Sequence, residues 1–433
     1  MNASAPAPVQ RKPRRRWRWH VPPALLHGPE ALEGAEVLDE VPAPLSLLLW
    51  QSMRDVTLWS SEPEPEERVG LFSDGSAAAR EKLLRDTHVD AALEPPLRVI
   101  AGMLADPAGT EEHTLMEACQ QVSDWADAAG FLATALAFSQ AAAIAAPAHA
   151  AAGYRVGVLA RRRADYARAE TWFRRTIGLG RQSKDWKSYA EAFLGLGNLY
   201  VQRGNFPAAR RFHVRALRAA RRHGMRDIVA ASMHDLFGID VESGEMAQAH
   251  DHARAAFRAY GPRNPRLPRL AHDLAYFWMM HGRFEAALSV FQAILPHLST
   301  RGERLLARAD IARAAGGAGN RQVFEDSWGE LWGLAHEPAN QEHAAQALLD
   351  LAHGAASLGE WKKAEMAATA SMEAARRREE NRVMLAAESV LDAARAKRAM
   401  ELKTADAAPA GTEEETEGFA AELVRSLRAV ATV

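Results

Sequence analysis

Residues 194–224 read LGLGNLYVQRGNFPAARRFHVRALRAARRHG, and this arrangement of small and large apolar residues returns about every forty residues on either side. A period of that length is the mark of stacked helix pairs, each covering an apolar face that its neighbour leaves open. The unit is anchored by Gly204, Phe206 and Ala209: a glycine that ends the first helix, a bulky residue two places on and a small one five places on. Gly244, Met246 and Ala249 repeat it, as do Gly282, Phe284 and Ala287, then Gly359, Trp361 and Ala364. Ala164, Tyr166 and Ala169 match with alanine replacing glycine, while Gly130, Leu132 and Ala135 match more loosely. Gly319, Arg321 and Phe324 keep the spacing but not the residue types, so seven repeats are counted, two of them degenerate. Glycine ends a helix because it accepts the left-handed backbone there; the bulky residue wedges between helices, and alanine lets their backbones approach.

Composition agrees. The 433 residues are 48% hydrophobic but only 7% aromatic, and alanine fills many apolar positions, which suits close-packed helices rather than sheets. A formal net charge of -2 gives no global attraction to nucleic acid or anionic membrane, so such partners would need local patches. Cys119 is the single cysteine, which excludes an intrachain disulfide and a multi-cysteine zinc site and makes a reducing, cytoplasmic setting the expectation. The basic start from Arg11 to Arg18 runs into His20, Pro22 and Pro23 before an apolar core develops, so no signal peptide is expected. The apolar run Leu45 to Trp50 is far too short to cross a bilayer, and no transmembrane segment is expected.

The pattern resembles the tetratricopeptide repeat, with small residues at Gly157, Gly197 and Ala275 and aromatics at Tyr200 and Trp278, over roughly residues 113 to 378. Leu196, Gly197, Asn198, Tyr200, Gly204, Phe206, Ala209, His213, Ala216 and Leu217 are similar to the long-repeat subclass of kinesin light chains, spindle-orientation adaptors and bacterial Rap-type regulators. The resemblance implies an all-α, right-handed solenoid of about seven helix pairs whose first helices line a concave groove for a peptide or protein segment. Asn198 would sit in that groove, where an amide serves both a donor and an acceptor of an extended backbone. Tyr154, Leu194 and His234 stand where co-chaperones of the family carry a cationic carboxylate clamp, which disfavours a heat-shock chaperone as partner.

Outside the repeats, residues 1–40 read as a disordered basic arm, 41–112 as a helical N-terminal cap, 379–403 as a capping helix and 404–433 as an acidic linker with a short helix from Phe419 to Val430. In the C-terminal cap, Val383, Leu385, Val390 and Leu391 are available for packing. No helix-turn-helix is read in 76–105.

Repeat register places Tyr154, Asn198, His234, His272, Tyr276 and Arg313 on the inner wall, a mixture suited to a peptide with polar and apolar residues. The doublets His234-Asp235 and His272-Asp273, echoed by Asp350 and His353, invite a metal or acid–base reading. Helices about 10 Å apart separate such groups, so groove lining or helix-to-helix hydrogen bonding is expected instead. Arg14, Arg15, Arg16, Trp17, Arg18 and Trp19 are candidate contacts to phosphates, with an anionic membrane or the acids Glu62, Glu64, Glu66 and Glu67 as alternatives. Arg211, Arg215, Arg218 and Arg222 share one face of a second helix and form a candidate basic ridge, unless they are an ordinary solvated face. Trp172, Trp328 and Trp361 read as core. With no phosphate-cradling glycine loop, nucleophile elbow or paired metal motif, no catalytic residue, metal or cofactor is assigned. The expectation is a non-catalytic scaffold for a protein or peptide segment; the alternative is a nucleic-acid-associated regulator using the arm and the ridge.

Overall fold

The computed structural model describes residues 34–337, 340–398 and 412–431, and its regular elements among these are all helical. They form two compact units, one ending at Arg203 and the other beginning at Gly204.

The first unit opens with α1 (Glu36–Glu40), α2 (Leu45–Ser61), α3 (Ser76–Asp86) and α4 (Glu94–Met103), followed by α5 (Glu112–Ala128), α6 (Leu132–Ala145), α7 (Ala150–Arg162), α8 (Tyr166–Ser183) and α9 (Trp186–Gln202). Every fourth or third residue of α2 is apolar, and Leu48, Leu49, Met53, Val56 and Trp59 are buried on that face. Trp59 donates its indole N–H to the Pro107 carbonyl at 2.8 Å, and the Arg68 guanidinium covers its ring at 3.7 Å. α6 is alanine-rich and apolar around nearly its whole circumference, so it is buried from two sides, by α5 and by α1 and α2. Residues 36–40, expected in the disordered arm, form α1: Val37 is buried, and Glu40 accepts hydrogen bonds from the backbone N–H groups of Ala133 (2.9 Å) and Thr134 (2.7 Å) at the start of α6. Farther along, Phe173 of α8 fills the space left by two missing side chains; a Cβ on Gly157 would meet its ring at 2.6 Å, and one on Gly195 would collide with it.

The second unit contains α10 (Phe206–Arg222), α11 (Arg226–Glu242), α12 (Met246–Tyr260), α13 (Leu267–Met280), α14 (Phe284–Ile294), α15 (Arg301–Gly317), α16 (Arg321–Ala335), α17 (Gln341–Ser357), α18 (Trp361–Arg377), α19 (Asn381–Arg395) and α20 (Glu413–Ala431). In chain order the helices from α5 to α18 alternate as first and second members of the seven repeats that the sequence predicts, with α5–α6 and α7–α8 packed as pairs in the first unit and α11–α12, α13–α14, α15–α16 and α17–α18 in the second. The turn glycines 130, 204, 244, 282, 319 and 359 all adopt φ between 69° and 84°, and Ala164 occupies the same region at 60°. Degenerate as it is, the sixth repeat keeps its wedge: Phe324 is fully buried, while Arg321 forms an ion pair with Glu360, the residue that precedes α18. α15 and α17 approach backbone to backbone at Gly316 and Gly354.

α19 caps the last pair with Ala387, Val390 and Leu391, but Leu385, expected to pack, is 62% exposed. The terminal helix is longer than its sequence pattern indicates. It folds back along α14, burying Phe419, Leu423 and Leu427.

Candidate functional site: a charged ladder on the first helices

Polar side chains on the first helices of the second unit, some half-buried and some buried, form a strip that bridges from helix to helix. His234 of α11 meets Asp273 of α13 at 2.9 Å; His272 of α13 meets Asp310 of α15 at 3.0 Å; Arg313 of α15 donates to Asp350 of α17 at 2.8 Å. Gln346 closes the far end by donating to the other Asp350 oxygen at 2.8 Å. The ladder follows from the repeat itself, because partners lie 39, 38 and 37 positions apart, one repeat length. Backbones a helix diameter apart are thus spanned by the two side chains together.

The electrostatics follow from this geometry. Burial opposes the charge on His272, but Asp273 and Asp310 outweigh it and hold the imidazole up to about 10. Asp273 is itself partly buried, yet hydrogen bonds from His234 and His272 keep its carboxyl well below the usual carboxylate range. Asp310 is driven the other way: burial, with Asp350 nearby, pushes it up to about 6 against the pull of His272 and Arg313. His353, on the same helix as Asp350, is held neutral by burial and by Arg313, down to about 3. Among the described residues no three His, Cys, Asp or Glu side chains are grouped to hold a metal ion.

Two apolar side chains stand out of this polar strip. Tyr276 and Met280, one turn apart on α13, are 39% and 38% exposed. Arg313 anchors beside them, with Nη2 3.4 Å from the Met280 sulfur.

Of the six residues predicted for the inner wall, His234, His272, Tyr276 and Arg313 belong to this strip. Tyr154 and Asn198 belong to the first unit, on α7 and α9; Tyr154 packs its ring 5.9 Å from Phe173, and Asn198 is half-buried. Asp310, Met280 and Gln346 were not singled out in the sequence, although adding one repeat length to His272 leads to Asp310. The candidate phosphate contacts Arg14, Arg15, Arg16, Trp17, Arg18 and Trp19 lie outside the described residues. Arg211, Arg215, Arg218 and Arg222 are exposed on α10, a helix with no acidic residue. Trp172 is core; Trp328 is half-buried and stacks on Trp332 at 5.3 Å.

Alternating helices whose turns hold a residue in the left-handed conformation, bridged in the second unit at one repeat length, define a helical-repeat fold. Residues 148–222 match the tetratricopeptide repeat family model. No curated protein matches the sequence. Solved structures similar to it include a Rap protein complexed with competence and sporulation factor (11% identity, 80% of this chain and 99% of that one, TM-score 0.45) and the apo form of RapI (12%, 77% and 99%, 0.48). Another is the TPR2AB-domain:pHSP90 complex of yeast Sti1, at 12% identity, 65% and 99% coverage and a TM-score of 0.27. No described helix is long and apolar enough to cross a membrane.

Proposed function

We propose that this chain is a non-catalytic cytoplasmic scaffold that holds a protein or peptide segment against its first helices, with Tyr276 and Met280 as the apolar anchor of the second unit. The observation that carries this reading is the exposure of those two side chains in a strip whose charged groups are otherwise tied to one another. An apolar pair on a rigid polar frame is the arrangement by which interfaces concentrate affinity in a few anchors. His234, His272 and Arg313 serve as the frame and the polar rim. In the first unit, Asn198 is suited by its amide to an extended backbone, with Tyr154 beside Phe173 on the preceding first helix. The histidines and carboxylates are engaged with each other across helices, which supports binding over acid–base catalysis.

Affinity capture from the native cell lysate tests this. Tyr276→Ala and Met280→Ala together should reduce retained partner at least tenfold, on the order of 1.4 kcal/mol or more, with helicity unchanged; an identical capture profile would refute the reading. The exposed arginines of α10 favour a second mode, contact with phosphates, and in the same experiment partners of that class would disappear on nuclease treatment.

A further inference from the structure

A helix-receiving surface of the second unit is already occupied by the chain itself. α20 presents one apolar stripe, Thr416, Phe419, Ala420, Leu423 and Leu427, all buried, while Glu417, Glu422, Arg425 and Arg428 on its other faces are exposed. Phe419 enters a recess where three rings from two helices meet it edge-on: Phe257 of α12 at 5.6 Å, Trp278 of α13 at 5.8 Å and His250 of α12 at 5.9 Å between centroids. The Arg254 guanidinium lies over the same ring at 4.8 Å and donates through Nη2 to the Glu415 carbonyl at 3.2 Å. Arg283 pairs with Glu413 at 3.4 Å at the front of the helix, and His297 Nε2 donates to the Leu427 carbonyl at 3.0 Å near its end. The recess thus reads three properties of an incoming helix: an acidic first turn, an aromatic, and leucines four and eight residues after it.

Nothing in the repeat architecture needs this occupant. α20 completes no helix pair, packs along a single face, and accepts hydrogen bonds from residues 130 and 161 positions earlier in the chain. Among the described residues no backbone–backbone hydrogen bond ties α20 to the repeat helices, so it can leave without breaking their ladders, and its own Thr412–Glu415 capping box, with Glu415 N–H donating to Thr412 Oγ1 at 3.2 Å and Thr412 N–H to Glu415 Oε2 at 2.9 Å, keeps its first turn closed. We infer that the recess between α12, α13 and α14 is a docking site for an amphipathic helix of a partner protein, that α20 is its resident intramolecular ligand, and that a partner helix with an acidic N-terminal turn and the same aromatic–leucine–leucine spacing displaces it. Being tethered, α20 wins at low partner concentration and sets the threshold for exchange. The surface is made by other residues than Tyr276 and Met280, so it stands whether or not they bind a peptide.

The test uses the full chain and a labelled peptide of residues 412–431, TEEETEGFAAELVRSLRAVA. In the full-length Phe419→Ala, Leu423→Ala variant the chain's own helix is disabled, and the labelled peptide should bind at least tenfold more tightly than to the native chain, with the chain monomeric. A peptide carrying the same two alanines should not bind. On the native chain, excess unlabelled peptide should raise amide hydrogen exchange in α20 at least tenfold while α12 and α14 stay protected, a readout that does not depend on the variant folding. Equal binding to native and variant chains, no binding to a folded variant, or unchanged exchange in α20 would each overturn the inference. So would dimerisation of the variant with the peptide excluded, which would assign the recess to a second copy.

Discussion

At single positions, the repeat is most exacting where glycine replaces a side chain for reasons of space rather than conformation. Gly316 has an ordinary helical backbone, yet a Cβ there would collide with the Gly354 backbone across the α15–α17 interface, and one on Gly354 would meet the Ala312 carbonyl at 2.6 Å. Backbone cannot yield as a flexible side chain can. Gly316→Ala should therefore destabilise the second unit by about 2–3 kcal/mol, the upper part of the range for overpacking a close interface, although alanine is the better helix former. Gly329→Ala on α16, where a Cβ would meet nothing, should instead be neutral or slightly stabilising. Chemical denaturation of the two variants checks the contrast, and equal midpoints would show that α15 and α17 do not approach as closely as described.

Among elements, the N-terminal cap shows how a helix is fastened by a residue far from it in sequence. α6 begins without a capping side chain of its own, and the carboxylate of Glu40, 93 and 94 positions earlier, takes over by accepting from Ala133 N–H, Thr134 N–H and Thr134 Oγ1. Charge on the acceptor and the dipole at the helix start both strengthen these bonds. Glu40→Ala should cost about 1–3 kcal/mol, combining a lost cap with unpaired donors, and thermal unfolding should show it; Glu40→Gln should recover part of the loss. A midpoint unaffected by Glu40→Ala would refute the cap. This fastening also explains what could not be read from sequence. Pro, Ala and charge dominate residues 1–40, and the signals that make 36–40 helical, burial of Val37 and the reach of Glu40, are both long-range. The repeat helices were legible because their signals are local: the left-handed turn and the wedge two residues later recur within each copy. Periodicity likewise shows that α20 has an apolar stripe, but the stripe names no receiving surface, so Trp278 and Phe257 as its seat emerge only from the structure. The ladder lies between these cases, since its residues sit at predictable register but its pairing, as in His272 with Asp310, needs two helices side by side.

For the molecule as a whole, the ladder makes stability a function of pH with opposite limbs on either side of neutrality. His272, held up to about 10 between Asp273 and Asp310, binds its proton more tightly folded than unfolded, where its pKa is about 6.5. Its contribution is complete below pH 6.5 and is lost as pH rises from there through 10. His353 has the reverse sign: buried neutral next to Arg313 and held down to about 3, it contributes fully above pH 6.5 and ceases to do so as pH falls towards 3. Asp273, depressed by both histidines, adds to the acid limb, because protonating it breaks two bridges at once. Asp310, raised to about 6 by burial, has the same sign as His272, weakening the fold as pH rises from about 4 to 6, and so blunts the acid limb without removing it. The full chain should therefore unfold at its highest temperature near pH 6.5. Replacing His272 by Gln should flatten the alkaline limb between pH 7 and 10 while leaving the acid limb in place, and replacing His353 by Phe should do the converse. Since the bridges join α11, α13, α15 and α17 in series, each limb should appear as one shift of the second unit's transition rather than as the melting of a single repeat. An alkaline limb that survives intact in the His272→Gln chain would mean that the bridges are not coupled to folding.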